Sequence, residues 1–187
     1  PGHGWTVKAE NTGCTWYVGT NRNLNTTRQA RIDFDYYEYE GYGIGEVQPM
    51  AAGSGKKQNE YLISPVVDLT GKAATLSFNY GFERTALYNG KMTFTVEAST
   101  DGGKTWTAIW NAKDDVTQGS DAIQTGLAEI TVPEAYQTAN VQFAFRYYKT
   151  APTGAGSVVV DNAKLTAPAG ASETSVLTTV AGEGGAV

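Results

Sequence analysis

Three segments of this chain alternate apolar and polar residues at every second position, and this pattern limits the fold more than any other feature. They are Ala74–Tyr80, Lys91–Ser99 and Val141–Tyr147. Successive side chains of a β-strand point to opposite faces of a sheet, so a period of two predicts strands that are buried on one side. The apolar run Val158–Val160 adds a fourth strand. These strands place the following residues in the predicted core: Leu76, Phe78, Phe94, Val96, Phe143, Phe145 and Val159.

The predicted strands are separated by short turn sequences rather than by helices. Asp101-Gly-Gly103 and Asn89-Gly90 supply glycine, which tolerates the positive φ of tight hairpin turns. No stretch of about a dozen residues shows the helical period, and Pro133–Tyr136 is expected to form at most one turn. Short strands joined by turns predict an all-β antiparallel sandwich.

Length and composition favour one domain followed by a tail. At 187 residues the chain is long enough to bury a core without disulfide bonds, and Cys14 is its only cysteine. We predict a β-sandwich domain over 1–166 and a linker or tail over 167–187, which is rich in Ala, Gly, Ser and Thr and has no aromatic residue. The start at Pro1 without a methionine leads us to expect a piece of a larger protein.

The charge and the residue types argue against several classes of function. The formal net charge is −5, and no lysine- or arginine-rich stretch offers the basic surface that binds nucleic acid. No apolar run reaches the roughly 18 residues that a membrane-spanning helix needs. His3 is the only histidine, which removes most triad and zinc chemistry. We therefore expect a protein that is not an enzyme. The sequence alone does not decide whether two of the carboxylates Asp33, Asp35, Glu38 and Glu46 form the catalytic pair of a glycosidase.

A compact turn motif follows one of the predicted strands. Ser99-x-Asp101-x-Gly103-x-x-Trp106 matches the Asp-box of sialidase propellers, in which the Asp side chain accepts hydrogen bonds from backbone amides and the Trp packs beneath. A propeller needs about four blades or more, so one copy in this chain does not build one. We predict a structural role for the motif, with Trp106 as a buried anchor under the turn.

The order of three longer segments points to a family. Glu60–Leu69 is followed by Phe94–Trp106 and then by Asn140–Tyr147 with Val158–Asn162. Taken together they resemble the jelly-roll domains of the cleaved-adhesin and choice-of-anchor-J type, which are relatives of the MAM domain. The resemblance implies a jelly-roll sandwich that serves as a non-catalytic accessory module of a larger secreted or cell-surface bacterial protein. Such modules bind a glycan or a host protein. The alternative is a structural spacer that packs against a neighbouring peptidase or glycan-acting catalytic domain.

The resemblance also implies a structural calcium site. In this family the last strand ends in an Asp-Asn pair, and its acidic residue helps to hold calcium with side chains near the amino terminus. The matching residues are Asp161 and Asn162 at the strand end and Glu10 and Asn11 near the start. Calcium prefers about six to eight oxygen ligands, and Lys8 stands where a further acid would be favourable. We expect Glu10, Asn11 and Asp161 as ligands; the alternative is that Asp161 caps a turn.

Four aromatic residues near predicted strand or loop ends are expected to be exposed and are candidates for ligand binding. Their rings offer a large apolar surface that can pack on a sugar, so carbohydrate is the leading ligand class. The candidates are Tyr88, Trp110, Tyr147 and Tyr148. The tyrosine-rich stretch 36–42 has the same potential, but alternation in a strand would bury half of its rings.

Overall fold

The computed structural model describes residues 4–10, 15–21, 25–33, 57–149 and 155–167 of the chain. These residues form two five-stranded sheets in which every pairing between neighbouring strands is antiparallel. Both sheets contribute to one apolar core, which makes the fold a β-sandwich. The predicted fold class, an antiparallel jelly-roll sandwich with little helix, is confirmed.

The chain crosses repeatedly between the two sheets. In chain order the strands are β1 (Thr6–Lys8), β2 (Tyr17–Asn21), β3 (Asn25–Ile32), β4 (Gln58–Ile63), β5 (Thr75–Glu83), β6 (Thr93–Ser99), β7 (Thr107–Asn111), β8 (Ile123–Thr131), β9 (Gln142–Lys149) and β10 (Val158–Thr166). The first sheet has the order β1-β4-β9-β6-β7, and the second has the order β2-β3-β10-β5-β8. Most strands that follow each other in the chain, such as β9 and β10, therefore lie in different sheets, whereas β2 and β3, and likewise β6 and β7, pair within one sheet.

Two short helices and one 3₁₀ turn complete the described fold. Helix α1 (Arg84–Tyr88) follows β5, and helix α2 (Ala112–Asp115) follows β7. Asn111 caps α2, because its side-chain oxygen accepts a hydrogen bond from the Lys113 N–H at 3.0 Å. Both helices are too short to give a readable helical period, so the sequence analysis missed them. The single turn that it predicted is confirmed at Glu134–Tyr136.

Phe78 of β5 lies at the centre of the core. Its ring is fully buried and packs edge-on against aromatic rings from three strands of the first sheet. The ring centroid is 4.9 Å from that of Phe145, 5.3 Å from that of Trp110 and 6.4 Å from that of Phe94. Edge-to-face pairs of this kind add to the free energy gained by burying the rings. This aromatic cluster joins β5 of the second sheet to β6, β7 and β9 of the first.

The residues predicted to lie in the core are all buried, with one correction. Six of them are at most 1% exposed and belong to the core cluster: Leu76, Phe78, Phe94, Val96, Phe143 and Phe145. Val159 is 4% exposed but lies outside that cluster, whereas its neighbours Val158 and Val160 belong to it. Since side chains alternate along β10, Val159 faces the outer side of the second sheet. Val159 is thus buried as predicted but not between the two sheets, because an unbroken apolar run does not reveal which of its residues face inward.

Two sequence predictions concern residues that the structure does not describe. The tail predicted over 167–187, apart from Ala167, and the tyrosine-rich stretch 36–42 lie outside the described ranges. The division into a domain over 1–166 and a tail over 167–187 therefore stays a prediction. Within the described residues, no helix has the length and apolar character needed to cross a membrane.

Replacing Phe78 should destabilise the protein more than any replacement on its surface. We expect Phe78→Ala to lower the free energy of unfolding by about 3–5 kcal/mol, because it removes buried apolar contacts and leaves a cavity between the two sheets. Leu127→Ala, in the same sheet but 60% exposed, is the matched control and should change stability by about 0.5 kcal/mol or less. Urea unfolding of both variants measures the difference. Equal losses of unfolding free energy in Phe78→Ala and Leu127→Ala would contradict the placement of Phe78 at the centre of the core.

Candidate functional site

The outer face of the first sheet carries polar and aromatic side chains from neighbouring strands. In β9 the side chains of Phe145 and Tyr147 are buried in the core, so Arg146 between them faces outward. The register sets Arg146 opposite Tyr61 of β4 on one side and opposite Thr95 of β6 on the other. We call this surface the outer face. Its principal members are Asn59, Tyr61, Glu97, Trp106, Arg146 and Tyr148.

Arg146 is held in one orientation at the middle of the outer face. Its Nε–H donates to Asn59 Oδ1 at 2.7 Å, and its Nη1 donates to Glu97 Oε1 at 2.9 Å. The Thr95 hydroxyl donates to the same Glu97 oxygen at 3.2 Å, and the Glu97 side chain is only 5% exposed. Nη2 of Arg146 makes no hydrogen bond to any of the described residues. The Arg146 side chain is 29% exposed, so solvent or a ligand can reach it. The guanidinium is thus fixed and still has donors for a ligand.

Cationic and aromatic side chains alternate across the outer face. The Arg146 guanidinium lies 5.2 Å from the ring centroids of both Tyr61 and Tyr148. The Lys8 ammonium lies 5.6 Å from the Tyr61 ring, and the Lys57 ammonium lies 5.7 Å from the Tyr148 ring. All four distances fall within the range of cation–π attraction. We call this sequence of side chains, from Lys8 through Tyr61, Arg146 and Tyr148 to Lys57, the cation–aromatic row.

Asp101 organises the hairpin between β6 and β7. Its carboxylate accepts hydrogen bonds from the N–H groups of Lys104 and Thr105 at 3.0 Å each and from the Thr105 hydroxyl at 2.6 Å. The Ser99 hydroxyl donates to this carboxylate at 2.8 Å and accepts the Gly103 N–H at 3.0 Å. These hydrogen bonds, those from Thr105 above all, hold the pKa of the Asp101 carboxyl well below its usual range. The predicted Asp-box turn is confirmed.

Trp106 packs against the Asp101 turn and extends onto the outer face. Its indole N–H donates to the Gly103 carbonyl at 3.0 Å, so the expected packing of this ring against the turn is confirmed. Its ring centroid is 5.9 Å from that of Tyr61 in β4, although β9 and β6 lie between β4 and β7, the strand that follows Trp106. The side chain therefore extends across the sheet. Because Trp106 is half-buried, its prediction as a buried anchor was wrong. The other tryptophans of the chain are buried: Trp5, Trp16 and Trp110.

The four aromatic residues predicted to bind a ligand lie in different environments. Tyr148 belongs to the outer face and is half-buried, whereas Tyr147 is fully buried. Trp110 is 9% exposed and packs in the core. Tyr88 is half-buried in α1, and its hydroxyl, like that of Tyr147, donates to a backbone carbonyl. The expectation of exposed rings was wrong for Tyr147 and Trp110. Adjacent strand residues face opposite sides, so Tyr147 and Tyr148 do not share a surface.

Glu10 and Asp161, two of the three predicted calcium ligands, are not brought together by the fold. Glu10 follows β1 at the edge of the first sheet, where its carboxylate pairs with Lys57 at 3.2 Å. Asp161 lies in β10 after a core residue, so its side chain faces away from the first sheet. Asp161 accepts the N–H of Asn162, which has a φ of 52° at a bulge in the strand, as the turn-capping alternative predicts. Asn11 lies outside the described residues.

Glu10 and Asp161 therefore do not fit one shared calcium ion. In the described part of the chain, no group of three or more His, Cys, Asp or Glu side chains is arranged to hold a metal. Calcium binding stays a prediction that rests on the family resemblance.

The sequence left open a catalytic pair among four carboxylates. Asp33 is the one of these four that lies in the described part of the chain. It binds the Arg31 guanidinium, with Nη2–Oδ1 at 2.6 Å and Nε–Oδ2 at 2.8 Å, and accepts the hydroxyls of Tyr17 and Ser157. Burial raises the pKa of the nearby Glu83 carboxyl, while the hydrogen bond from Ser157 opposes that shift. Asp33 thereby connects β2, β3 and the start of β10, which is a structural role.

Sequence reasoning missed four residues of the outer face: Asn59, Tyr61, Glu97 and Arg146. The alternation in Val141–Tyr147 already set Arg146 on the side opposite the core. Its partners in β4 and β6 follow only from the register between strands, which no short sequence pattern states.

The chain is similar to a solved adhesin domain and, at lower TM-scores, to carbohydrate-binding modules. The chain is similar to the K1 cleaved adhesin domain of Lys-gingipain from Porphyromonas gingivalis W83, at 16% identity and a TM-score of 0.52, over 88% of this chain and 90% of that chain. TmCBM61 in complex with β-1,4-galactotriose gives a TM-score of 0.47 at 11% identity over 88% of each chain. The non-crystalline cellulose specific module CBM28 gives 0.45 at 12% identity, over 87% of this chain and 86% of that chain.

These identities are low, and the similarity to the adhesin domain shows a shared fold alone. No protein-family model matches the chain. No curated protein matches it by sequence.

The Asp101 turn predicts a defined pH dependence of stability. Because folding lowers the Asp101 pKa below its ordinary value of 3.8, the carboxylate stabilises the fold fully above about pH 5. That stabilisation is lost as the pH falls through the folded-state pKa. Asp101→Ala should therefore lower the melting temperature at pH 7, and the gap to the wild type should narrow toward about pH 2.

The control for this experiment is Asp121→Ala. Asp121 is exposed, and its side chain makes no hydrogen bond to the described residues, so this variant should melt like the wild type. A gap between Asp101→Ala and the wild type that stays constant from pH 7 to the acid range would contradict the assignment.

Proposed function

We propose that this chain is a non-catalytic binding module of the cleaved-adhesin type that binds a glycan on the outer face of its first sheet. The observation that carries the proposal is the presence of a half-exposed Trp106 ring and an oriented Arg146 guanidinium on one surface. A sugar presents apolar C–H groups and hydroxyls side by side. An aromatic ring and a set of fixed hydrogen-bond donors complement both.

Both groups are positioned before any ligand arrives. The Arg146 guanidinium is fixed by Asn59 and Glu97, and the Trp106 ring is fixed by its hydrogen bond to Gly103. Binding then requires little additional ordering of side chains, which is a main cost of association. This preorganisation supports a binding surface.

The carboxylates near the outer face support binding rather than catalysis. Glycoside hydrolysis uses two carboxylates on either side of the scissile bond, one of which acts as an acid. Glu97 is buried and paired with Arg146, and Glu10 is paired with Lys57 at the sheet edge. Neither of them has the environment of a general acid that faces a substrate.

The alternative of a structural spacer predicts a large exposed apolar surface for the neighbouring domain. Among the described residues, the exposed large hydrophobic side chains are Val66 and Leu127. Val66 follows β4 of the first sheet, and Leu127 lies in β8 of the second. Two separate side chains do not form such a surface, so the described residues favour the glycan-binding proposal over the spacer.

On this proposal the module lies outside the bacterial cell, in a larger secreted or cell-surface protein. The support is the family resemblance of the sequence together with the fold that the chain shares with the adhesin domain. The partner is then a glycan, either free or carried by a host protein.

A glycan array followed by titration of the best ligand tests the proposed function. Since the other three tryptophans are buried, ligand-induced changes in tryptophan emission should come from Trp106 and disappear in Trp106→Phe. Trp106→Ala and Arg146→Ala should each weaken binding about tenfold or more, as for central aromatic and arginine contacts in other interfaces.

Leu127→Ala, on the second sheet, is the matched control and should bind like the wild type. Melting curves establish that each variant is folded. An array of plant, microbial and host glycans without a single ligand would contradict the glycan function. Binding that survives both Trp106→Ala and Arg146→Ala would contradict the site.

A further inference from the structure

We propose, on the basis of the proposed glycan-binding function, that the ligand is an acidic glycan whose carboxylates are bound by the cation–aromatic row. The inference rests on the charges of the row, on the cations that lie over its tyrosine rings and on the spacing of its cations across the sheet.

The cation–aromatic row carries more positive than negative charge. Its three cations are Lys8, Lys57 and Arg146, and the carboxylates that pair with them are Glu97, bound to Arg146, and Glu10, bound to Lys57. Lys8 is exposed and forms no ion pair with any of the described residues. This local excess of positive charge contrasts with the formal net charge of −5 for the whole chain. An anionic ligand would therefore be attracted to this surface in preference to the rest of the protein.

Cations lie over both tyrosine rings of the row, and the Tyr61 ring has little free surface on which a neutral sugar could stack. The Tyr61 ring lies between Lys8 and Arg146 and is close to Trp106, and only 8% of the residue is exposed. The Tyr148 ring has Lys57 and Arg146 within cation–π distance. The cations of the row present N–H donors to a ligand, and carboxylate oxygens are the strongest acceptors for such donors.

Arg146 and Lys8 have different parts in this interaction. The planar guanidinium of Arg146 is oriented by two hydrogen bonds, and its unused Nη2 can bind a carboxylate with defined geometry. Lys8 is a flexible point charge that contributes attraction without fixing orientation. The two residues lie on strands separated by β4, which corresponds to about 10 Å at the usual strand spacing. Two carboxylates along one polymer could therefore be bound together, which favours a repeating uronate chain.

The experiment compares each acidic oligosaccharide with its own neutral form. Oligomers of galacturonate, alginate and hyaluronate are titrated against the wild type, and each is then titrated again after methyl esterification of its carboxylates. We expect at least one acidic oligomer to bind. Esterification should weaken that binding about tenfold or more, because it removes charge-assisted hydrogen bonds. Binding of the acidic form should also weaken as the salt concentration rises.

Lys8→Gln is the informative variant, because it removes one exposed charge at the sheet edge and leaves the Arg146 hydrogen bonds intact. It should weaken binding of the acidic oligomer by about two- to fivefold, as expected for one exposed charge pair, and leave binding of the esterified form unchanged. Lys164→Gln removes an exposed lysine from β10 of the second sheet and is the matched control, with no expected change for either form. A melting curve for each variant confirms folding.

The outcomes separate this inference from the function on which it rests. If glycans bind but the esterified oligomers bind as tightly as the acidic ones, the inference is wrong and the glycan function stands. The inference is also wrong if the array ligands are all neutral, or if Lys8→Gln and Lys164→Gln have equal effects. If no glycan of either kind binds, both proposals fail.

Discussion

The edge-on packing of Phe78 against the aromatic residues of the first sheet is the interaction on which the rest of the structure depends. It is the point at which β5 of the second sheet meets β6, β7 and β9 of the first. Because a strand exposes alternate residues on opposite faces, burying Phe145 against Phe78 also decides where its neighbours point. A slip of one residue in β9 would bury Arg146 and expose the aromatic core, and such a register would be strongly unfavourable.

The outer face is therefore a consequence of the core. Arg146 faces outward because Phe145 and Tyr147 face inward, and the register with β4 and β6 then supplies Asn59 and Glu97 as its partners. The hairpin held by Asp101 adds the one group that no strand of the sheet provides, the Trp106 ring. Asp101 has a structural role in this turn, and the turn positions Trp106, which contributes to the proposed binding surface.

Period-two alternation in the sequence was sufficient to predict the sandwich and the inward residues of β5, β6 and β9. The same alternation already implied that Tyr147 and Tyr148 lie on opposite faces, so naming both as ligand contacts was an avoidable error. The proximity of Tyr61 to Arg146 and Trp106 depends on strand register and on the path of a hairpin, both of which are set by tertiary packing. Glu10 and Asp161 were paired by resemblance, but Glu10 follows β1 of the first sheet, whereas Asp161 lies in β10 of the second sheet and faces away from the first.

The central claim is that ligand binding takes place on the outer face of the first sheet. The most direct measurement is a titration of the ¹⁵N-labelled chain with the highest-ranked glycan of the array, followed by amide chemical shifts in two-dimensional NMR spectra. The account predicts that the largest changes fall on β4, β9, β6 and the hairpin that carries Trp106. Changes concentrated on the strands of the second sheet, or the absence of changes at saturating ligand, would contradict it.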